Sequence, residues 1–244
     1  MDDPVFLVTS ASSGLGLELV SRLSSLGRRV VAADLDNHRL EEAARRAAWP
    51  MSQVRLFALD VRQPAQWAAG FALGARAFGG IDVLLHAAGR PPPDADGRSG
   101  EAAAGEALGI RAAAAHMAPR GGGRVVLLHS LEALAPCPGQ ACPGQGAVRA
   151  GALSAEPELS SQGVALTVVY AAPAKAGAEV QDGWLADSLL SRALGRPVRE
   201  LALAPGCGVL ARLLEPWPAL AALLWRRRQR RGARPAAAAR THVA

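Results

Sequence analysis

VFLVTSASSGLGLELVSRLSSLGRRVVAAD, residues 5–34, reads as a strand, a glycine-containing turn, a helix and a second strand that closes on an acid. VFLVT (5–9) is an apolar run of the kind a strand carries when both of its faces are covered, and it enters SASSGLG (10–16) without a linker. Leu17, Val20 and Leu23 then recur at helical spacing, and Gly27 ends the run. RVVAA (29–33) is the next buried strand, with Asp34 at its carboxyl end. A helix that opens directly after Gly14 and Gly16 points unpaired N–H groups and a positive dipole above the strand, which suits a pyrophosphate. Asp34, roughly 20 residues past the turn, is placed to accept hydrogen bonds from an adenosine ribose.

The alternation continues down the chain. LFALDV (56–61), IDVLLHAAG (81–89), GRVVLLHS (123–130) and GVALTVVY (163–170) read as four further strands, and helices are expected near 17–26, 37–48, 64–77, 101–118 and 144–161. Such an order calls for a parallel sheet with helices on both faces. Residues 90–100 form a polar, Pro/Gly-rich loop, and 136–146, with two Pro-Gly pairs and no periodicity, reads as loop as well. No internal repeat is present.

In these motifs the chain resembles the short-chain dehydrogenase/reductase family. The family's TGxxxGxG fingerprint is matched by Thr9, Ser10, Ala11, Ser12, Ser13, Gly14, Leu15 and Gly16, with Ser10 in place of the first glycine. Asp60 and Val61 match the Asp-Val pair near the adenine. His86, Ala87, Ala88 and Gly89 stand where the family has Asn-Asn-Ala-Gly, and Ser130 matches the catalytic serine after the fifth strand. The resemblance covers most of residues 5–175. It implies an α/β fold, a Rossmann-type doubly wound parallel sheet in three layers (α/β/α), and hydride transfer between NAD(P) and an alcohol or carbonyl. The cofactor set it implies is Thr9, Ser12, Ser13, Gly14, Leu15, Gly16, Asp34, Asp60, Val61, Ala88 and Gly89. Asp34 would repel a 2′-phosphate and no arginine occurs in SASSGLG to offset it, so NAD is preferred to NADP. The alternative role for Asp34 is to cap the following helix. Ser10 carries a cost if its position requires a backbone angle suited to glycine.

The catalytic half departs from the family. There a tyrosine moves the proton, and a lysine one helical turn later lowers its pKa and holds the nicotinamide ribose. An unassisted phenol titrates near about 10, too high to exchange protons readily at neutral pH. Counting from Ser130, the tyrosine position falls at Pro143 and the lysine position at Ala147, or at Ala141 and Gln145 with a shift in register. The one tyrosine, Tyr170, and the one lysine, Lys175, form no Tyr-x-x-x-Lys arrangement. The family's helix asparagine is missing from 102–108, and its Pro-Gly after the sixth strand survives as Pro173 and Ala174. Ser130 is the sole catalytic candidate that remains. Among stand-ins, His129 is expected to pack because alternation turns it away from the face Ser130 uses. Cys142 lacks a basic neighbour to activate it. Tyr170 is expected to pack, His86 to act as a spacer facing the cofactor region, and Lys175 to be a solvated loop residue. The expected activity is therefore impaired, the alternatives being an enzyme with a non-standard proton donor and a regulatory or membrane-surface binding protein.

A chain of 244 residues with an apolar fraction of 50% suits one domain with a sizeable core, here assigned to 1–215. Residues 216–244 form a C-terminal apolar segment and tail. Residues 209–225 are leucine-rich and run into RRRQRR (226–231), from which much of the net charge of +6 derives. This segment reads as a last docked helix with a solvated tail, in preference to an element lying on an anionic membrane or contacting nucleic acid. No apolar stretch reaches the roughly 20 residues of a membrane span. Cys137, Cys142 and Cys207 show neither metal spacing nor a disulfide framework, so a cytoplasmic protein is expected. The expected partners are the dinucleotide, a small alcohol or carbonyl and a second copy of the chain.

Overall fold

A computed structural model of the chain describes residues 3–87, 98–130, 143–171, 179–193, 195 and 198–203. The elements are β1 (Phe6–Val8), α1 (Gly14–Ser25), β2 (Val30–Asp34), α2 (Asn37–Arg46), β3 (Val54–Ala58), α3 (Pro64–Phe78) and β4 (Val83–Ala87). They continue with α4 (Arg98–Met117), a short 3-10 turn, β5 (Gly123–Ser130), α5 (Pro143–Ser161), β6 (Val164–Ala171), α6 (Glu179–Ala193) and β7 (Glu200–Leu203). The strands form one sheet in the order β3-β2-β1-β4-β5-β6-β7, and every neighbouring pair is parallel. This is the Rossmann-type, three-layer α/β/α architecture that the alternation of elements predicts.

Strand alternation splits the core in two. Leu7, Val31, Leu84, Val125 and Val168 face Trp67, Phe71, Ile110, Met117 and Leu159, so α3, α4 and α5 cover one side. Phe6, Val8, Ala32, Leu85, Val126 and Val169 face Leu19, Val20, Leu23, Leu40, Leu185 and Leu189, so α1, α2 and α6 cover the other. Burial on both faces is why the central strands read as unbroken apolar runs. Each large side chain in these layers contributes about 1.5–3 kcal/mol relative to exposure. Trp67 is fully buried, and α4 comes so close to it that a Cβ on Gly109 would sit 2.8 Å from the indole ring. After β3 the chain crosses through α3 to lay β4 beside β1, and this reversal opens a crevice above the carboxyl ends of β1 and β4.

Several boundaries differ from expectation. α1 opens at Gly14, inside the fingerprint turn, rather than at Leu17. β3 ends at Ala58, so Asp60 and Val61 lie in the loop beyond it; Leu59 N still donates to Asp34 O at 2.8 Å, which carries the apolar run past the strand. α4 begins at Arg98 and α5 at Pro143, so the ends of the two assigned loops are helical. A proline in the first turn of a helix costs no hydrogen bond, which is why a Pro-Gly pair is compatible with a helix start there. α6 and β7 extend the alternation past residue 170, into a stretch to which the sequence assigns no element before the apolar segment at 209–225. Ala88, Gly89, Ala141, Pro173, Ala174, Lys175, the three cysteines and the segments 209–225 and 226–231 lie outside the described residues. No helix among the described residues is long and apolar enough to cross a membrane.

Candidate dinucleotide-binding site

The fingerprint turn is fastened on both flanks. On the β4 side, Thr9 N donates to Leu85 O at 3.1 Å, and the Ser10 hydroxyl donates to Ala87 O at 2.9 Å. On the β2 side, Ala11 N donates to Ala33 O at 3.0 Å and Ser12 N to Oδ2 of Asp34 at 3.0 Å. Ser10 adopts φ +53°, the left-handed region that favours glycine, so the serine at the family's first glycine position sits in a strained conformation. Gly16 is needed for close approach: a Cβ there would lie 2.1 Å from Ser10 O. Ser13 is the N-cap of α1 yet makes no side-chain capping bond, and Ser13 and Gly14 are exposed. The first amides of a helix have no intrahelical acceptor, so here they face the crevice with the positive end of the helix dipole. Leu15, half-buried, packs against the core layer under α1.

The two acids do different work. Asp34, at the end of β2, holds Ser12 with one oxygen and accepts from Asp36 N at 3.3 Å with the other. It does not cap α2; that role belongs to Asp36, which accepts from Arg39 N at 3.1 Å. Asp60 accepts a two-pronged bond from Arg62, at 2.9 Å from both Nε and Nη2. The Arg62 guanidinium holds its carboxyl below the usual carboxylate range. Asp60 N also donates to Oε1 of Gln66 at 2.6 Å, which fixes the loop to the start of α3. Val61 is half-buried against the core, and its carbonyl accepts from Trp67 Nε1 at 2.9 Å.

Below the turn lies a polar floor. His86 is buried, with Nδ1 2.9 Å from the Thr9 hydroxyl and its ring edge-on to Trp67 at 5.5 Å. Burial, with a smaller contribution from nearby His129, lowers its pKa to about 4, so the imidazole is neutral. The expected facing of His86 toward the cofactor region is thus corrected: it supports Thr9 from underneath. His129 packs as expected, its Nε2 2.6 Å from Oε2 of Glu106 on α4. Tyr170 is fully buried, and its hydroxyl donates to Oε1 of Glu200 at 2.8 Å.

Ser130 closes β5 in register with Ala171; its side chain lies outside the described part of the structure. The positions where a tyrosine and lysine are sought, Pro143 and Ala147, fall in the first turns of α5. Glu106, Trp67, Arg62 and Glu200 take part in the site's supports without having been singled out from the sequence. Glu106 lies within 102–108, the stretch that lacks the family's asparagine, and puts a carboxylate there. Among the described residues no cluster of three or more His, Cys, Asp or Glu could hold a metal ion. The turn, with its tight Gly16, exposed helix start and flanking acid, fits a pyrophosphate joined to a ribose.

Comparison with known proteins agrees with this geometry. The family model described as short chain dehydrogenase matches residues 4–184. The 3-alpha-(or 20-beta)-hydroxysteroid dehydrogenase of Mycobacterium bovis is 31% identical over 210 residues, which are 79% of this chain and 76% of that protein. A relative from Streptomyces violaceoruber is 37% identical over 87 residues, and the chain spans only 32% of its length. Among solved structures, the 3-ketoacyl-(acyl-carrier-protein) reductase of Brucella melitensis complexed with NADH matches with a TM-score of 0.69 at 19% identity, over 83% of this chain and 97% of that one. A metagenomic short-chain oxidoreductase in complex with NADP matches with a TM-score of 0.65 at 26% identity, again over 83% and 97%.

Proposed function

The chain belongs to the short-chain dehydrogenase family, and from that premise we propose that it binds a nicotinamide dinucleotide, NAD(H) in preference to NADP(H), but lacks the groups for rapid proton transfer. The preference rests on Asp34, whose carboxylate suits a ribose 2′-hydroxyl and opposes a 2′-phosphate. Backbone amides at the start of α1 would hold the pyrophosphate, and Asp34 would orient the adenosine ribose while keeping the turn in place. When bound, the nicotinamide supplies or accepts the hydride.

The observation that carries impaired catalysis is the fate of the tyrosine and lysine. By the count from Ser130, Pro143 and Ala147, or Ala141 and Gln145, stand at the tyrosine and lysine positions, and none of these side chains can serve as that proton-transferring pair. Tyr170 is fully buried and bonded to Glu200, so its hydroxyl is committed to the interior. His129, next to Ser130 in the chain, is buried against Glu106 and does not fit the role of donor to a substrate. Ser130, by its place at the end of β5, would orient a carbonyl or hydroxyl without the Tyr-x-x-x-Lys pair that delivers the proton in the family. Positioned acid–base groups contribute about 10²- to 10⁴-fold to rate, and turnover should fall short by that order. Purified protein assayed with NADH and a panel of carbonyl substrates tests this. Weak or absent turnover is expected; robust reduction that Ser130→Ala abolishes would overturn the proposal.

A further inference from the structure

From the carboxyl ends of β5 and β6 to the start of β7 runs a line of buried and partly buried polar side chains that the fingerprint turn does not use. Glu106 on α4 and His129 on β5 are bonded at 2.6 Å, with side chains only 3% and 5% exposed. His129 lies in register with Tyr170 on β6, whose ring meets the imidazole edge-on at 5.9 Å between centroids. Tyr170 in turn donates to Glu200 on β7, so the line links one helix to three strands. Burying so many polar groups opposes folding unless each is bonded, and apolar residues of similar volume often serve stability as well or better. Stability is therefore a poor account of this line, whereas position is a good one. A hydrogen bond between buried groups admits one geometry, and an apolar contact admits several. One residue further along each strand, Ser130 and Ala171 are register partners at the carboxyl ends of β5 and β6.

We propose that Glu106 and His129 are positioning residues, whose bond locks α4 to the end of β5 and thereby shapes the part of the cleft that receives the nicotinamide end of the dinucleotide. This rests on the dinucleotide reading above. The adenosine end belongs to the other side of the sheet, where the turn and Asp34 sit at β1 and β2, with β4 between them and β5. Loss of the pair should therefore affect the two ends of the ligand unequally, which a general loss of stability would not do.

Calorimetric titration of the full chain with NADH and with ADP-ribose, which lacks the nicotinamide, separates the cases. The variants are Glu106→Gln, which keeps a hydrogen bond to the imidazole, and the double variant Glu106→Leu/His129→Leu, which replaces the pair by apolar groups and is expected to stay folded. His129→Gln serves the same comparison where the double variant does not fold. The expected result for the double variant is unchanged ADP-ribose affinity with NADH binding weakened on the order of tenfold, and recovery of most of that loss in Glu106→Gln. An unchanged ratio of the two affinities overturns the positioning role and leaves dinucleotide binding standing. Failure of the unmutated protein to bind either ligand overturns the dinucleotide reading and the positioning role with it.

Discussion

The backbone N–H of Ser12 donates to Oδ2 of Asp34 at 3.0 Å, so the acid that ends β2 also holds the turn that follows β1. One carboxylate thus holds the turn and, in the proposed complex, would accept from the ribose. Asp34→Ala removes a hydrogen bond to a charged group, worth about 1.5–3 kcal/mol, and should fall at the lower end because the acid is half-exposed. Urea unfolding checks the stability loss. Paired titrations with NADH and NADPH should show weaker NADH binding and a ratio shifted toward NADPH, because the charge that repels a 2′-phosphate is gone; an unchanged ratio counts against Asp34 as the selector.

Ser10 pits backbone strain against a side-chain bond. Its φ of +53° costs about 1–2 kcal/mol for a residue with a Cβ, while its hydroxyl bond to Ala87 O contributes about 0.5–1.5 kcal/mol. Ser10→Gly relieves the first and loses the second, so its stability should stay within about 1 kcal/mol of the original. Ser10→Ala keeps the strain and loses the bond, and should be the less stable of the two by about 1–2 kcal/mol. Chemical denaturation of both variants measures the difference, and equal stabilities would show that the backbone angle is not strained.

Gly16→Ala places a methyl group 2.1 Å from Ser10 O, a backbone atom that cannot rotate away. The start of α1 must move back from the turn. A stability loss of about 1–3 kcal/mol is expected, with dinucleotide affinity falling further because the amides proposed to hold the pyrophosphate would move with the helix. Thermal melting with and without NADH reads both effects.

Two histidines make the fold sensitive to acid. Burial lowers the pKa of His86 to about 4, and burial likewise lowers that of His116, whose Nε2 accepts from Ile81 N at 3.0 Å. Both ordinarily titrate near 6.5, so below that pH the unfolded chain takes up protons that the native state refuses. Their contribution is fully present above about pH 6.5 and declines as the pH falls below it, that of His86 down to about pH 4 and amounting to roughly 3 kcal/mol. Urea midpoints measured across this range should decline, and His86→Gln should flatten the decline. A slope unaffected by that substitution would assign the acid sensitivity elsewhere.

Residues 5–34 are readable in advance because a strand buried on both faces leaves an unbroken apolar run and the turn's glycines follow it at once. The end of β3 is harder to read, since Leu59 is buried and extends the apolar run past the last strand residue. β7 has only four residues, too few for a period to show. Glu106 escapes notice for a different reason: its burial is decided by a partner 23 positions away, and nothing in its alanine- and glycine-rich surroundings marks it as internal. His86 reads as a group facing the cofactor because its motif does, whereas its orientation is set by Thr9 and Trp67 on other elements. Local pattern thus reveals the ligand class, and the supports beneath the site emerge only when distant segments meet.

Calorimetric titration of the full-length protein with NADH tests the central claim most directly. The account predicts saturable binding at a single site that Gly16→Ala weakens severely while the protein stays folded. No heat of binding by the unmutated chain up to about 1 mM NADH, an affinity weaker than about 4 kcal/mol, would contradict it.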